Sequence, residues 1–210
     1  MTEEHRERRR QQILDAARRC FIRQGFHQTS MTDIFAESGL SAGAVYGYFR
    51  GKDEIIRAIA TFVLSQMSSL LEPIVGQDPP PPLDEAIHQG LTASYELTFG
   101  ENGFAKLAPQ VWAEALRNPE LAEVIRTQYT SIHDLITHLV AAEQQAGRIS
   151  PDGDPAETAK VLIGAIMGYL LQGVLIANVD ADSYASGLAT LVSSHYPALG
   201  AEHASRNRRQ

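Results

Sequence analysis

Residues 30–52 read Ser30-Met31-Thr32-Asp33-Ile34-Phe35-Ala36-Glu37-Ser38-Gly39-Leu40-Ser41-Ala42-Gly43-Ala44-Val45-Tyr46-Gly47-Tyr48-Phe49-Arg50-Gly51-Lys52. Ser30, followed three positions later by Asp33, is a capping-box-like helix start, and Asp33 also suits the positive end of the helix dipole. Ile34 and Phe35 supply the apolar contacts of that short helix. Gly39 permits a sharp turn, and Ser41 caps a further helix expected over residues 42–49. Two short helices across a glycine turn make a helix-turn-helix, whose second helix enters the major groove of DNA.

The residue types within the stretch suit that task. Ala42, Gly43, Ala44 and Gly47 are small and let the helix sit close to the bases. Tyr46, Tyr48 and Lys52 offer donors for phosphate oxygens, and the rings offer apolar surface for sugars or thymine methyls. Ser30 and Ser41 cap helices whose N-terminal N–H groups attract anions and can face phosphates. Val45 and Phe49 read as core.

Outward from this stretch, apolar residues recur at helical spacing and no segment reads as a strand, so the fold is expected to be all-α. A first helix over residues 8–24 turns Ile13, Leu14, Ala17 and Phe21 to one face and Arg18, Arg19 and Arg23 elsewhere, with Gly25 as a left-handed stop. Gly51 caps a fourth helix, with Asp53 and Glu54 in its first turn and Ile56, Ile59, Val63, Met67 and Leu70 three or four apart. Pro79 to Pro82 form a stiff surface connection. Five helices follow. The fifth, from Asp84, carries Ile87, Leu91 and Tyr95. The sixth carries Phe104, Leu107, Val111, Trp112 and Leu116, and Pro109 either kinks it or starts a fresh helix. The seventh, capped by Asn118-Pro119, carries Leu121, Ile125, Ile132, Leu135 and Leu139 and ends at Gly147. The eighth opens at Asp154-Pro155. The ninth holds Tyr184, Leu188, Leu191 and His195, and the tail after Gly200 reads as frayed.

Residues 161–179 are almost wholly apolar and nearly long enough to span a bilayer. They include Gly164-Ala165-Ile166-Met167-Gly168, a small-xxx-small pair found at membrane helix contacts. Neither flank carries a positive cluster, and three glycines lower the hydrophobicity, so a membrane span is rejected. A helix that packs one face on its own core and another on a partner subunit has the same composition.

The 210 residues suffice for one large domain or two modest ones. The single cysteine, Cys20, excludes an internal disulfide and a cysteine-type zinc site, and fits a reducing cytoplasm. The charged start after Met1 lacks the apolar run of a signal peptide. The net charge is −7, yet residues 1–52 carry nine basic and six acidic residues and the remainder nine and nineteen. A positive head on a negative body suits a chain whose head alone touches a polyanion. An enzyme is not expected. The histidines are scattered, and neither a glycine-rich phosphate loop nor a G-x-S-x-G elbow occurs. No cofactor or metal is implied.

Residues 29–55, together with Ile13-Leu14-Asp15-Ala16-Ala17, Phe21 and Gly25-Phe26, resemble the N-terminal domain of TetR/AcrR-family transcriptional regulators. The resemblance covers about the first quarter of the chain. It implies a three-helix helix-turn-helix domain over residues 1–52, a ligand-binding and dimerisation domain with its connecting helix over 53–200, and a flexible tail over 201–210. It implies that Thr32 and Ser41 contact phosphate or bases near helix starts. Gly43, Ala44, Tyr46, Gly47 and Tyr48 fall on the recognition helix, and Lys52 matches the family's phosphate-binding lysine. The family often has threonine where Ala44 stands and an aromatic where Gly47 stands. Base readout therefore leans on Tyr46, Tyr48 and the preceding helix.

For the second domain, Met67, Tyr95, Phe99, Phe104, Trp112, Tyr129, His133, Met167 and Gln172 are the expected lining of a pocket between helices. Gly164, Gly168 and Gly173, with Leu188, Leu191 and Val192, are the expected dimer face. The function implied is a cytoplasmic repressor that binds a near-palindromic DNA operator as a homodimer. A small apolar or aromatic inducer releases it by shifting the fourth helix, and by linkage DNA disfavours that inducer equally. The alternative is a DNA-binding regulator that is ungated or gated by a protein partner, and an activator of the same build stays open.

Overall fold

The computed structural model describes residues 2–101, 103–176 and 179–193, the last two by backbone alone. The described residues contain helices and no strand. The order is α1 (Glu3–Gln28), α2 (Met31–Ser38), α3 (Ala42–Tyr46), α4 (Lys52–Val75), α5 (Leu83–Phe99), a 3₁₀ turn (Phe104–Lys106), α6 (Ala108–Ala115), α7 (Pro119–Gln145), α8 (Pro155–Leu175) and α9 (Ala181–Ser193). The expected His195 and the tail after Gly200 lie outside the described residues.

Local signals set most boundaries. Ser30 and Asp33 form a reciprocal capping box: Asp33 N–H donates to Ser30 Oγ at 3.2 Å and Ser30 N–H to Asp33 Oδ2 at 2.8 Å. Gly39 ends α2 at φ 67°, and Ser41 Oγ accepts from Ala44 N–H at 3.3 Å to start α3. Asn118 and Asp154 cap α7 and α8 with their side-chain oxygens, and Pro109 lies in the first turn of α6, a helix separate from the 3₁₀ turn before it. Three limits differ from expectation. The chain is helical from Glu3, ahead of Arg8, because Glu4–Arg8 and Glu7–Arg10 pairs one turn apart support a stretch with no apolar period. Gly25, the expected stop, kinks that helix at φ 81°, and the helix runs on to Gln28. Helix α3 stops at Tyr46, short of Phe49, where Tyr48 and Phe49 N–H both turn back to Val45 O and sink the Phe49 ring into the core. In the proline connection, Pro81 is buried.

Two apolar cores result. The first joins α1–α4: Ile13, Leu14, Phe21, Ile34, Val45 and Phe49 meet Ile55, Ile56 and Ile59, with Leu107 and Leu121 closing it from the second half of the chain. Phe21 and Phe26 stack edge to face at 4.8 Å across the Gly25 break. The second lies among α5, α7, α8 and α9, around Ile87, Leu91, Leu139, Val140, Leu162 and Tyr169. Helix α4 contributes to both and is the mechanical link between them. Helices α4 and α8 are each long and apolar enough to cross a bilayer by length and composition. In α4 the apolar residues Ile55, Ile56, Ile59 and Val63 are packed in the first core, whereas α8 leaves much of its apolar surface open.

Candidate nucleic-acid interface and ligand cavity

Helix α3 divides cleanly by exposure. Val45 is fully buried, while Ala42, Gly43, Ala44, Tyr46 and Gly47 are exposed. Thr32 on α2 and Ser41 are exposed beside them. Tyr46 packs the edge of Phe35 at 5.4 Å, which fixes α3 against α2 while half of Tyr46 remains open. Nothing approaches within 4 Å of a Cβ built on Gly43, so the middle of α3 presents bare backbone to the outside. Tyr48 is half-buried against the first core.

Lys52 stands apart from its expected role. Its Nζ donates to Phe26 O at 2.7 Å and Thr29 O at 3.0 Å, which ties the start of α4 to the end of α1. An ammonium has three donors, and two are engaged internally before any phosphate arrives. Lys52→Met is therefore expected to lower the melting temperature of the DNA-free protein, by leaving two carbonyls without their donor. An unchanged melt would assign the lysine to DNA alone.

The basic residues of the head also divide. Arg19 and Arg23 both bind Glu37, at 2.7 and 3.3 Å, pinning α1 to α2. Arg10 lies over the Phe49 ring at 5.7 Å from its centroid. Arg6, Arg9 and Arg50 make no ion pair among the described residues. Exposure selects Arg6 and Arg50 as charges open to a polyanion. The sequence reading singled out neither, since arginine count alone does not separate free from paired groups.

Two carboxylates in this region are held below their ordinary range, Asp33 by the Ser30 N–H and hydroxyl, and Glu37 by Arg19 and then Arg23. A depressed native pKa contributes stability above the unfolded value and loses it as pH falls through the folded one. The head is thus expected to melt progressively earlier as pH drops below about 4. Asp33→Asn combined with Glu37→Gln should flatten that slope in melts from neutral to acid pH.

In the second half, a cavity of about 180 Å³ lies among α4, α5, α7 and α8. Met67, Phe104, Trp112 and Met167 line it as expected, joined by aliphatic residues such as Leu71, Leu91, Ile136 and Leu170. Helices α5 and α4 pack closely at Gly90, where a Cβ would stand 3.2 Å from Leu71 Cδ2. A smaller cavity of about 110 Å³ adjoins it and adds Tyr129. Four expected lining residues are elsewhere. Tyr95 and Gln172 are exposed. Phe99 packs on Tyr169 at 5.4 Å and directly over Gly173. His133 stacks on Tyr129 and its Nε2 lies 3.0 Å from Ala156 O. His133 Nδ1 also lies 3.5 Å from Asp134 Oδ1.

The expected dimer residues split as well. Gly164 has open space around it, and Leu191 is exposed with Val161, Leu175 and Ile176. Leu188 is buried in the second core, Gly168 faces the Tyr184 hydroxyl of α9, and Gly173 faces Phe99. These three serve contacts within the chain. The side chain of Val192 lies outside the described residues.

Comparison with known proteins agrees with this geometry. A family model described as bacterial regulatory proteins, tetR family, matches residues 13–59. A second, described as BetI-type transcriptional repressor, C-terminal, matches residues 83–197. The HTH-type transcriptional regulator UidR of Escherichia coli (strain K12) is 30% identical over 193 residues, covering 87% of this chain and 90% of the relative. The HTH-type nicotine-responsive transcriptional repressor HdnoR of Paenarthrobacter nicotinovorans is 29% identical over 168 residues, covering 78% and 82%. Among solved structures, Salmonella enterica GusR superposes with a TM-score of 0.68 at 25% identity, over 88% of this chain and 93% of that one.

Proposed function

The chain belongs to the TetR family of bacterial regulatory proteins, and from that premise we propose a homodimeric repressor that a small apolar molecule releases from DNA. It is a helix-turn-helix transcriptional regulator of all-helical fold. In this reading residues 1–52 bind DNA and residues 53–200 bind ligand and dimerise, followed by the tail over 201–210. The protein works in the cytoplasm and catalyses no reaction. Thr32, Ser41, Ala42, Gly43, Ala44, Tyr46, Gly47 and Tyr48 meet the duplex, supported by Arg6 and Arg50. Lys52 sets the position of α4 and spares at most one donor for phosphate.

The observation that carries the ligand-gated reading is the apolar cavity, with its neighbour, against α4 and α6, the elements whose residues also close the head's core. A body with a filled interior would favour an ungated regulator, or one gated by a protein partner. The relative HdnoR is nicotine-responsive by its description, which supports a small-molecule signal. The exposed Val161, Gly164, Leu175 and Ile176 of the α8 segment, with Leu191 of α9, support the two-fold interface. Two heads related by that axis read half-sites about one helical turn or a little more apart.

Nuclease footprinting on the DNA flanking the chain's own gene tests this. The expected result is one protected stretch containing two inverted half-sites at that separation. A single unpaired half-site, or protection without sequence preference, would overturn the dimeric reading.

A further inference from the structure

The two adjoining cavities differ in what surrounds them. The larger, of about 180 Å³, is walled by the second core: Ile74, Ile87, Leu91, Leu139, Leu162 and Leu170. The smaller, of about 110 Å³, is walled by Ile59, Ala60, Val63 and Leu107, all buried members of the head's own core, with Ala108 and Val111 of α6. Leu64, Phe104, Trp112, Ile132, Ile163 and Met167 border both and mark where the two meet. One chamber thus belongs to the sensing bundle and the other to the joint between bundle and head.

Helix α6, which borders the joint chamber, also touches the head directly. Gln110 Oε1 accepts from Phe26 N–H at 3.0 Å, at the Gly25 break of α1, and Glu114 lies 3.8 Å from His27 Nε2. Trp112 stands between those two residues on the same eight-residue helix. A group entering the joint chamber pushes at once on α4, through Ile59 to Val63, and on the helix that holds the end of α1. A group confined to the bundle chamber meets α4 farther along, from Leu64 to Val75, and α6 at Trp112 alone, away from the stretch of α4 packed in the head's core.

We propose that the two chambers have separate roles: the bundle chamber provides affinity, and occupation of the joint chamber past the shared border at Phe104, Trp112 and Met167 releases DNA. This inference rests on the ligand-gated reading above. The lining also sets the ligand class. No charged side chain borders either chamber, and the polar side-chain groups are the Ser94 hydroxyl, the Tyr129 hydroxyl and the Trp112 indole N–H. A charged group inside would be left unpaired at high cost. The ligand is therefore neutral, slender and hydrocarbon-rich, with at most one or two hydrogen-bonding groups. A cavity of about 150 Å³ holds a six-carbon ring, so the bundle chamber takes roughly six to seven carbons and a longer chain must extend into the joint chamber.

A homologous series of straight-chain primary alcohols, from 1-butanol to 1-decanol, tests this on the intact protein. Trp112 is the chain's single tryptophan and borders both chambers, so its emission reads binding. Fluorescence anisotropy of labelled operator DNA reads release. Affinity is expected to rise about fourfold per methylene through the series. Release is expected to be absent at saturating 1-butanol and 1-pentanol and to set in at about eight carbons. Ala108→Leu, which fills much of the joint chamber, should keep DNA binding and short-alcohol binding. It should stop the affinity gain at the length where the bundle chamber is full, and lose release. Should that variant misfold by circular dichroism, the wild-type series alone decides. Release in proportion to occupancy at every chain length would overturn the division of roles while leaving ligand gating intact. No change in Trp112 emission with any alcohol would overturn the ligand-gated reading and this inference together.

Discussion

Gly43→Glu is expected to abolish sequence-specific DNA binding while leaving the fold untouched. Gly43 is exposed in the middle of α3, and a Cβ there meets nothing within 4 Å. Its backbone is ordinary helix, so glutamate enters without strain and with better helix propensity than glycine. The new carboxylate stands on the face that has to come closest to a polyanion, where bulk and charge both oppose docking. The expected loss is about a thousandfold or more in affinity for the operator, down to the level of non-specific DNA. The melting temperature should be unchanged or slightly raised. A variant that still protects its operator would move the reading surface off α3.

Phe21→Ala reaches the same DNA-binding defect by the opposite route. Phe21 is fully buried at the centre of the head's core and packs edge to face on Phe26 at 4.8 Å. Truncation of a buried phenylalanine costs about 3–5 kcal/mol, from lost burial and the cavity left behind. That is a large share of the net stability of a typical domain, about 5–15 kcal/mol. A fall in melting temperature of roughly 10 °C is expected, with operator binding lost as α1 and α2 separate. Because α4 shares this core with the bundle, the melt should broaden or split, and Trp112 emission should report the bundle transition after the head is gone. A melt within 2 °C of wild type would contradict the packing described here.

The head was legible in the sequence because its determinants are local. Ser30, Gly39, Ser41 and Gly51 each act on backbone within four residues, and a cap or a left-handed turn needs no knowledge of the rest of the chain. Where two distant segments meet, the sequence was silent. Lys52 reads as a solvent-facing phosphate ligand until the end of α1 is seen to offer it two carbonyls. Leu188 and Leu191 are three positions apart on one helix, yet one is buried and the other 75% exposed. The cavity was legible only in part. Residue type favours aromatic and polar lining, but voids form where aliphatic stripes from α4, α5, α7 and α8 fail to close. Met67, Phe104, Trp112, Tyr129 and Met167 border those voids. Tyr95, Phe99, His133 and Gln172 have the right chemistry on the wrong face.

The claim that the head reads a DNA sequence is tested most directly by titrating the purified protein, across a range of salt concentrations, against the DNA flanking its gene and against a scrambled duplex of equal length. The prediction is saturable binding at physiological salt, at least about a thousandfold tighter than to scrambled DNA, with both affinities falling as salt rises. Equal affinity for the two duplexes, vanishing together with rising salt, would contradict it.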